Sequence, residues 1–177
     1  MIPVMTLAER IKDWKIHESQ RGYFGFELYK QMAENPNIWL LVGDLGYKLF
    51  DAHFQDFPER TYNCGAAEQA MIGIAVGLAL EGKIVFAYSI STFLIYRPLE
   101  VIRNYLNREK IPVHLVGSGV GKSYLHDGFS HWADDLPELL SCFKNIQQYF
   151  PQTNEDTILS LREMLQSDKP SFIGLKR

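Results

Sequence analysis

Long apolar runs are missing from this sequence of 177 residues. No window approaches the roughly 18 consecutive apolar residues that a membrane-spanning helix needs. The charged residues Glu9, Arg10 and Lys12 lie where a signal peptide would carry its apolar segment. We therefore expect a protein without a membrane segment that is located in the cytoplasm.

Cysteine is also scarce, and positive charge is not in excess. Cys64 and Cys142 show neither C-x-x-C nor metal-ligand spacing, so reduced thiols are the simplest expectation, although a bridge between them stays open. The net charge of −3 and the lack of a basic stripe interleaved with aromatic residues argue against a nucleic-acid partner. Internal repeats, low-complexity runs and linkers are absent too, which indicates one domain.

What the sequence does contain is a regular alternation of short apolar strands with helices. The strands are predicted at residues 38–42, 61–64, 84–88, 112–116, 146–150 and 171–175. Most of them are continuous apolar runs rather than alternating ones, which is typical of a parallel sheet covered by helices on both faces. We predict a single α/β domain over residues 20–177, with about six mostly parallel strands, preceded by an N-terminal arm at 1–19.

The helices between these strands are predicted from apolar spacing and from the positions of proline. They are expected at residues 20–34, 47–54, 66–80, 93–108, 131–144 and 155–166. In the helix from residue 66, Gly73 and Gly77 lie four residues apart on one face. Small residues at such positions allow another backbone to approach.

That same helix carries one carboxylate, Glu68, near the start of an otherwise apolar stretch that should be buried on most sides. An ionised carboxylate is costly to bury alone, so Glu68 should be paired, protonated or hydrogen-bonded to a ligand. The simpler alternative is an acid in the first turn that complements the helix dipole and caps free N–H groups.

Other candidate residues follow the carboxyl ends of the predicted strands, where open parallel sheets bind ligands. The glycine-rich loop at 117–121 resembles a phosphate cradle but lacks the G-x-x-x-x-G-K-S/T signature, so a plain turn is the alternative. His126, Asp127 and His131 could bind zinc only with a further ligand; the alternative is a solvated loop with a helix cap at Ser130.

Two aromatic residues, Phe93 and Tyr96, lie three positions apart at a predicted helix start. They could pack in the core, or they could stack on a planar ligand at the end of the strand. A nucleophile elbow of the G-x-S-x-G type is absent.

Taken in order, separated blocks of this chain resemble the pyrimidine-binding domain of the transketolase family. The resemblance runs from about Gly22 to Arg177, and its blocks are residues 60–71, 73–83, 91–93, 100–103, 127–131 and 170–172. It implies thiamine diphosphate as the cofactor, clamped between two domains or chains. The resemblance also implies that the other domain holds Mg2+ and the diphosphate through a GDG…N motif, which this sequence lacks.

The resemblance assigns cofactor contacts to four positions. Glu68 matches the carboxylate that hydrogen-bonds the pyrimidine nitrogen and promotes the reactive tautomer of the ring, which makes it a catalytic residue. Tyr96 matches the stacking ring, in place of the usual Phe, and Phe93 lies beside it. Asp44 matches an acidic turn that approaches the cofactor.

Three further positions match substrate contacts of the family. Asp127 and His131 match residues that orient sugar hydroxyls, with His131 also expected to take part in catalysis, and Arg177 matches a substrate-phosphate arginine. The chain departs from the family at Ala66, where Ile or Val is commoner. It departs again at His126, where an acidic residue usually precedes Asp127, so the substrate rim is altered.

The resemblance thus implies one half of a split transketolase, without the third domain that the family carries after the position of Arg177. With a separate diphosphate-binding subunit, it would transfer a two-carbon ketol unit between sugars or sugar phosphates as a dimer of heterodimers. A subunit of a 1-deoxyxylulose-phosphate-synthase-like or 2-oxo-acid dehydrogenase β-like enzyme stays open, as does a non-catalytic scaffold or regulatory subunit. The block from Asp127 to His131 favours transketolase.

Overall fold

The computed structural model describes residues 11, 12 and 14–177 of the chain. Its strands are β1 (Ile38–Val42), β2 (Thr61–Asn63), β3 (Ile84–Ile90), β4 (Val113–Ser118), β5 (Gln147–Tyr149) and β6 (Ser171–Leu175). They form one six-stranded sheet in the order β2-β1-β3-β4-β6-β5, in which every neighbouring pair is parallel. The predicted parallel α/β architecture is confirmed.

Helices cover both faces of this sheet. They are α1 (Gln20–Glu34), α2 (Asp51–Asp56), α3 (Glu68–Leu80), α4 (Ser91–Tyr96), α5 (Leu99–Val101), α6 (Leu136–Ser141) and α7 (Asn154–Gln166). A π-helical segment (Ile102–Arg108) continues α5, and two short 3-10 turns lie at Leu125–Asp127 and Phe129–His131. None of the helices in this described part of the chain is long and apolar enough to cross a membrane.

Alternate residues of the central strands point to two separate cores. Ala87 and Leu115 belong to the core beneath α3 and α6, whereas Phe86 and Val116 belong to the core beneath α1 and α7. Burying a large apolar side chain stabilises the fold by about 1.5–3 kcal/mol. Because both faces are buried, the central strands must be apolar throughout, which is why they could be recognised in the sequence.

The predicted N-terminal arm lies partly outside the described residues, since positions 1–10 and 13 are not among them. Its described end packs on α1. The Trp14 ring lies 4.8 Å from the ring of Tyr29 and 5.7 Å from that of Phe26.

The single helix predicted over 93–108 is wrong. α4 ends at Tyr96 and α5 begins at Leu99, with Arg97 and Pro98 between them. Proline causes the break because it has no N–H to donate and its ring clashes with the preceding turn. The break allows Arg97 to reach α3.

The helix predicted over 131–144 is also largely wrong, because α6 spans only Leu136–Ser141. Pro137 is the second residue of this helix, within the first turn, where its fixed φ angle is favoured. The residues before this helix are held by a tertiary hydrogen bond, in which the Ala133 N–H donates to the Gly121 carbonyl at 2.7 Å. The helix predicted over 47–54 is found as α2, shifted towards the C-terminus.

The glycine face of α3 points outward, and within the described part of the chain no backbone approaches it. A Cβ atom at Gly73 or Gly77 would meet nothing within 4 Å. Ile74, on the same face, is half exposed. The expectation that α3 is buried on most sides therefore holds only for its inner face.

His53 should make the fold sensitive to acid. Its ring is fully buried, 5.1 Å from the ring of Phe50 and 5.4 Å from that of Tyr29, and this burial lowers the pKa of His53 from 6.5 to about 3. Between these values the unfolded chain binds a proton that the folded chain does not, so stability falls as the pH drops. In this range the free energy of unfolding should fall by about 1.4 kcal/mol for each pH unit because of His53. We expect His53→Phe to abolish this contribution.

Urea unfolding at pH 7 and pH 5 measures this effect. The exposed His126 offers a matched control, since His126→Phe should leave the pH dependence of stability as it is in the wild type. An unchanged pH dependence in His53→Phe would contradict the assignment.

Candidate functional site

Glu68 begins α3 beside the carboxyl ends of β1 and β3. Its side chain is 1% exposed, and its Oε1 accepts a hydrogen bond from the Ser89 hydroxyl at 2.7 Å. Gly43, directly after β1, leaves room for this pair. A Cβ atom there would lie 2.9 Å from Ser89 Oγ and 3.3 Å from Glu68 Oε1. Ser89 thus holds the carboxylate on its inner side, in a space that a residue larger than glycine at position 43 would fill.

The second oxygen of Glu68 faces outward and is paired with Arg97. Arg97 Nη1 donates to Glu68 Oε2 at 2.6 Å, and the arginine side chain remains 42% exposed. Its guanidinium carbon lies 3.9 Å from the centroid of the Phe93 ring. One planar cation therefore contacts the buried carboxylate and an aromatic face at the same time. The predicted need of Glu68 for a partner is met within the chain.

A line of ring contacts continues from Phe93 along the same edge of the sheet. The Phe93 and His131 rings are 4.8 Å apart, and those of His131 and Tyr124 are 5.8 Å apart. The guanidinium of Arg177 lies 4.8 Å from the Tyr124 ring, and its Nη1 is 3.9 Å from Asp127 Oδ2. Five residues singled out in the sequence thus share one surface with Arg97 and Tyr124: Glu68, Phe93, Asp127, His131 and Arg177.

Tyr96 lies to one side of this line. Its hydroxyl donates to Asp135 Oδ2 at 2.6 Å, and its ring lines a groove with Phe129 and Trp132. Burial, with the neighbouring Asp135 carboxylate, raises the pKa of Tyr96 to about 12. Its predicted stacking on a cofactor stays a prediction.

Asp44 lies on an exposed turn after β1 with a positive φ of 54°. Its N–H donates to Asn63 Oδ1 at 3.1 Å, and its Oδ1 accepts from the Tyr47 hydroxyl at 3.3 Å. These contacts fix the turn, and the predicted approach of Asp44 to a cofactor stays a prediction.

The glycine-rich loop at 117–121 uses several of its N–H groups within the chain. The Gly119 N–H donates to the Leu175 carbonyl at 2.8 Å, and the Val120 N–H donates to Ser123 Oγ at 3.2 Å. This geometry favours the plain turn over a phosphate cradle. Among the described residues, no group of three or more His, Cys, Asp or Glu side chains is placed to hold a metal.

A cationic cavity opens next to this line of residues. It has a volume of about 450 Å³, and its basic walls include Arg21, Lys48 and Arg177. Arg21 Nε is buried and has no hydrogen-bond partner among the described residues. A cavity with such walls is suited to an anionic group.

Sequence reasoning missed two residues of this site, Ser89 and Arg97. Ser89 is a polar residue inside the apolar run of β3, which was a usable signal. Arg97 gave only a weak signal, a charge directly before Pro98 in what reads as one helix. Neither contact with Glu68 could be inferred from the separation of these residues along the chain.

Comparison with known proteins places this architecture in a family. The family model described as transketolase, pyrimidine binding domain, matches residues 19–177. The chain therefore belongs to the transketolase pyrimidine-binding domain family, as its sequence motifs indicated.

Relatives agree with this membership. The putative transketolase C-terminal section of Methanocaldococcus jannaschii is 32% identical over 163 residues, covering 92% of this chain and 52% of the relative. One of the subunits of the apulose-4-phosphate transketolase of Actinobacillus succinogenes is 34% identical over 99 residues, covering 56% of this chain and 32% of that protein.

A solved structure described as a split gene transketolase, inactive beta4 tetramer, superposes with a TM-score of 0.79 at 31% identity. The match covers 90% of this chain and 51% of the solved one. The chain thus spans about half the length of this structure and of the M. jannaschii protein.

Proposed function

We propose that this chain is the pyrimidine-binding part of a thiamine-diphosphate-dependent transketolase that works with a separate diphosphate-binding subunit. The observation that carries the proposal is the buried Glu68 carboxylate, whose second oxygen pairs with a planar cation, Arg97, that also lies over the face of Phe93. The names of the relatives, a C-terminal section, a transketolase subunit and a split gene enzyme, support a partner chain.

The residues present fit an aminopyrimidine ring. Ser89 holds Glu68 Oε1, so Glu68 Oε2, which Arg97 pairs in this structure, is the oxygen that would bind a ring nitrogen. Phe93 offers a face for stacking, and Tyr96 is proposed as the second ring of the slot. When bound, thiamine diphosphate supplies the nucleophilic carbon of the reaction. Mg2+ and the diphosphate would be held by the partner subunit.

We further propose that the substrate is a sugar phosphate. His131 Nδ1 contacts Ser130 Oγ at 3.0 Å, which leaves Nε2 for a sugar hydroxyl, and Asp127 is near enough to Arg177 to share the substrate with it. Arg21 and Lys48 complete the cationic cavity around Arg177, where the phosphate would bind. Arginine suits this role because its planar guanidinium binds phosphate oxygens in a bidentate manner.

The outward face of α3 is the proposed place of assembly. An apolar groove of about 370 Å³ lies between Tyr62 on the edge strand β2, Trp39 on the neighbouring strand β1 and Ile74 on α3. Exposed apolar surface of this kind marks protein interfaces, and the helix that forms one wall of this groove begins at Glu68. We propose a dimer of heterodimers, in the cytoplasm, where the thiols of Cys64 and Cys142 stay reduced.

Reconstitution tests the proposal. The chain is mixed with its candidate diphosphate-binding subunit, thiamine diphosphate and Mg2+, and ketol transfer is measured from a ketose phosphate to an aldose phosphate. We expect transfer only when both chains are present, and faster transfer with phosphorylated sugars than with the free sugars, because of the cationic cavity.

Two controls separate the alternatives. Turnover of pyruvate with no ketol transfer would assign the chain to a different thiamine enzyme. A complex that assembles but neither binds thiamine diphosphate nor turns over any of these substrates would support a scaffold and overturn the proposal.

A further inference from the structure

Arg97 makes the contacts that a planar ligand of this site would need. Its Nη1 lies 2.6 Å from Glu68 Oε2, and its guanidinium carbon lies 3.9 Å from the centroid of the Phe93 ring. A planar group that donates one hydrogen bond to the carboxylate while stacking on Phe93 is the binding mode expected for a nitrogen heterocycle here. The arginine and such a ring compete for the same oxygen and the same ring face.

We propose that Arg97 is a displaceable internal occupant of the pyrimidine slot, which pairs with Glu68 until the cofactor ring takes its place. This inference rests on the proposed function, since it concerns the same slot. A buried carboxylate is costly without a partner, and Arg97 supplies one in the free chain. When the cofactor ring binds, it replaces Arg97 as the partner, so that Glu68 is paired in both states.

The position of Arg97 keeps the free energy needed to displace its guanidinium small. It caps α4 and precedes the break at Pro98, and 42% of its side chain is exposed, so the guanidinium can turn into solvent without rearranging the core. The ion pair of the partly exposed Arg97 with the buried Glu68, together with the cation–π contact, corresponds to at least about a tenfold change in an equilibrium constant. The bound ring must overcome this competition, so Arg97 lowers the apparent affinity by that factor.

Binding of the pyrimidine half of thiamine to the full chain tests this inference. The probe is the aminopyrimidine alcohol itself, which needs neither Mg2+ nor the diphosphate site, and its dissociation constant is measured by NMR titration. Arg97→Met keeps an apolar side chain over Phe93 but removes the charge and the donors. We expect this variant to bind the probe about tenfold more tightly than the wild type.

Arg103→Met is the matched control, because Arg103 is exposed and its Nη1 donates to the side-chain oxygen of the neighbouring Asn104. It loses the same charge and should bind the probe as the wild type does. The wild-type chain provides a second readout that does not depend on a variant folding. The Arg97 Nε–H resonance should shift when the probe is added, whereas that of Arg103 should not.

The possible results distinguish failure of this inference from failure of the proposed function on which it rests. Tighter binding by Arg97→Met, with an Arg97 resonance that shifts in the wild type, supports the inference. Equal or weaker binding by Arg97→Met than by the wild type, or an Arg97 resonance that stays in place while the probe binds, overturns it and leaves the proposed function standing. Absence of binding by every variant overturns the proposed function, and the inference with it.

Discussion

Glu68→Gln should lower the kcat of the reconstituted enzyme by at least about a hundredfold, the range in which a positioned acid–base group acts. The substitution keeps the size of the side chain and an oxygen that can accept from Ser89 Oγ, so the contact on its inner side is preserved. It removes the charge on the outward side, where the ring nitrogen would bind and where Arg97 now pairs. A neutral amide can neither take up nor release a proton at the ring nitrogen, so the activating interaction is lost.

The measurement is kcat at saturating thiamine diphosphate, so that weaker cofactor binding does not contribute to the result. Glu138→Gln is the control, because Glu138 is exposed on α6 and undergoes the same chemical change. It should keep full activity. Near wild-type kcat in Glu68→Gln would end the assignment of Glu68 as the activating carboxylate.

The second large effect is expected on stability, from Arg60→Met. Arg60 is buried, and its guanidinium donates to three carbonyl oxygens, those of Met32 (2.7 Å), Ile38 (3.1 Å) and Asn35 (3.2 Å). These carbonyls end α1 and begin β1, so one cation joins the helix C-terminus to the sheet. Its charge also complements the negative end of the helix dipole.

Methionine fills much of the same space but removes the hydrogen bonds to all three carbonyls, of which, among the described residues, only that of Asn35 keeps a second donor, the Ile38 N–H at 3.3 Å. Each such loss costs about 1–3 kcal/mol, so we expect Arg60→Met to lower the free energy of unfolding by about 3 kcal/mol. Urea unfolding measures this change. Arg108→Met, at an exposed arginine that ends the π-helical segment, should change stability by less than about 0.5 kcal/mol. A similar small change in Arg60→Met would show that water replaces the guanidinium.

The sheet could be predicted because its chemistry is repetitive. β1 and β6 coincide with their predictions, and the other strands differ by two residues at most at either end. The central strands could be recognised because a strand buried on both faces must be apolar along most of its length. Glu68 could be singled out for the opposite reason, as a lone charge in an apolar helix. The strand positions and the choice of Glu68 both depend only on the residue types within a short segment, which can be read from the sequence without knowledge of tertiary contacts.

The region from Phe93 to Ser141 was predicted less well. Pro98 breaks one predicted helix, and the residues before α6 are held by the bond between Ala133 and Gly121. Local helical propensity is weak compared with such contacts, so tertiary structure overrides it. The outward direction of Gly73 and Gly77 was likewise decided by how α3 packs.

The sequence by itself determined the order of strands and helices, the residue types at the strand ends and the family. Only the tertiary structure decided which of these side chains meet. Arg97 and Glu68 are 29 positions apart, and Ser89 and Glu68 are 21 positions apart, yet each pair shares a hydrogen bond. Parallel strands bring their carboxyl ends to one edge of the sheet, and the break at Pro98 turns Arg97 back onto that edge, which no local pattern encodes.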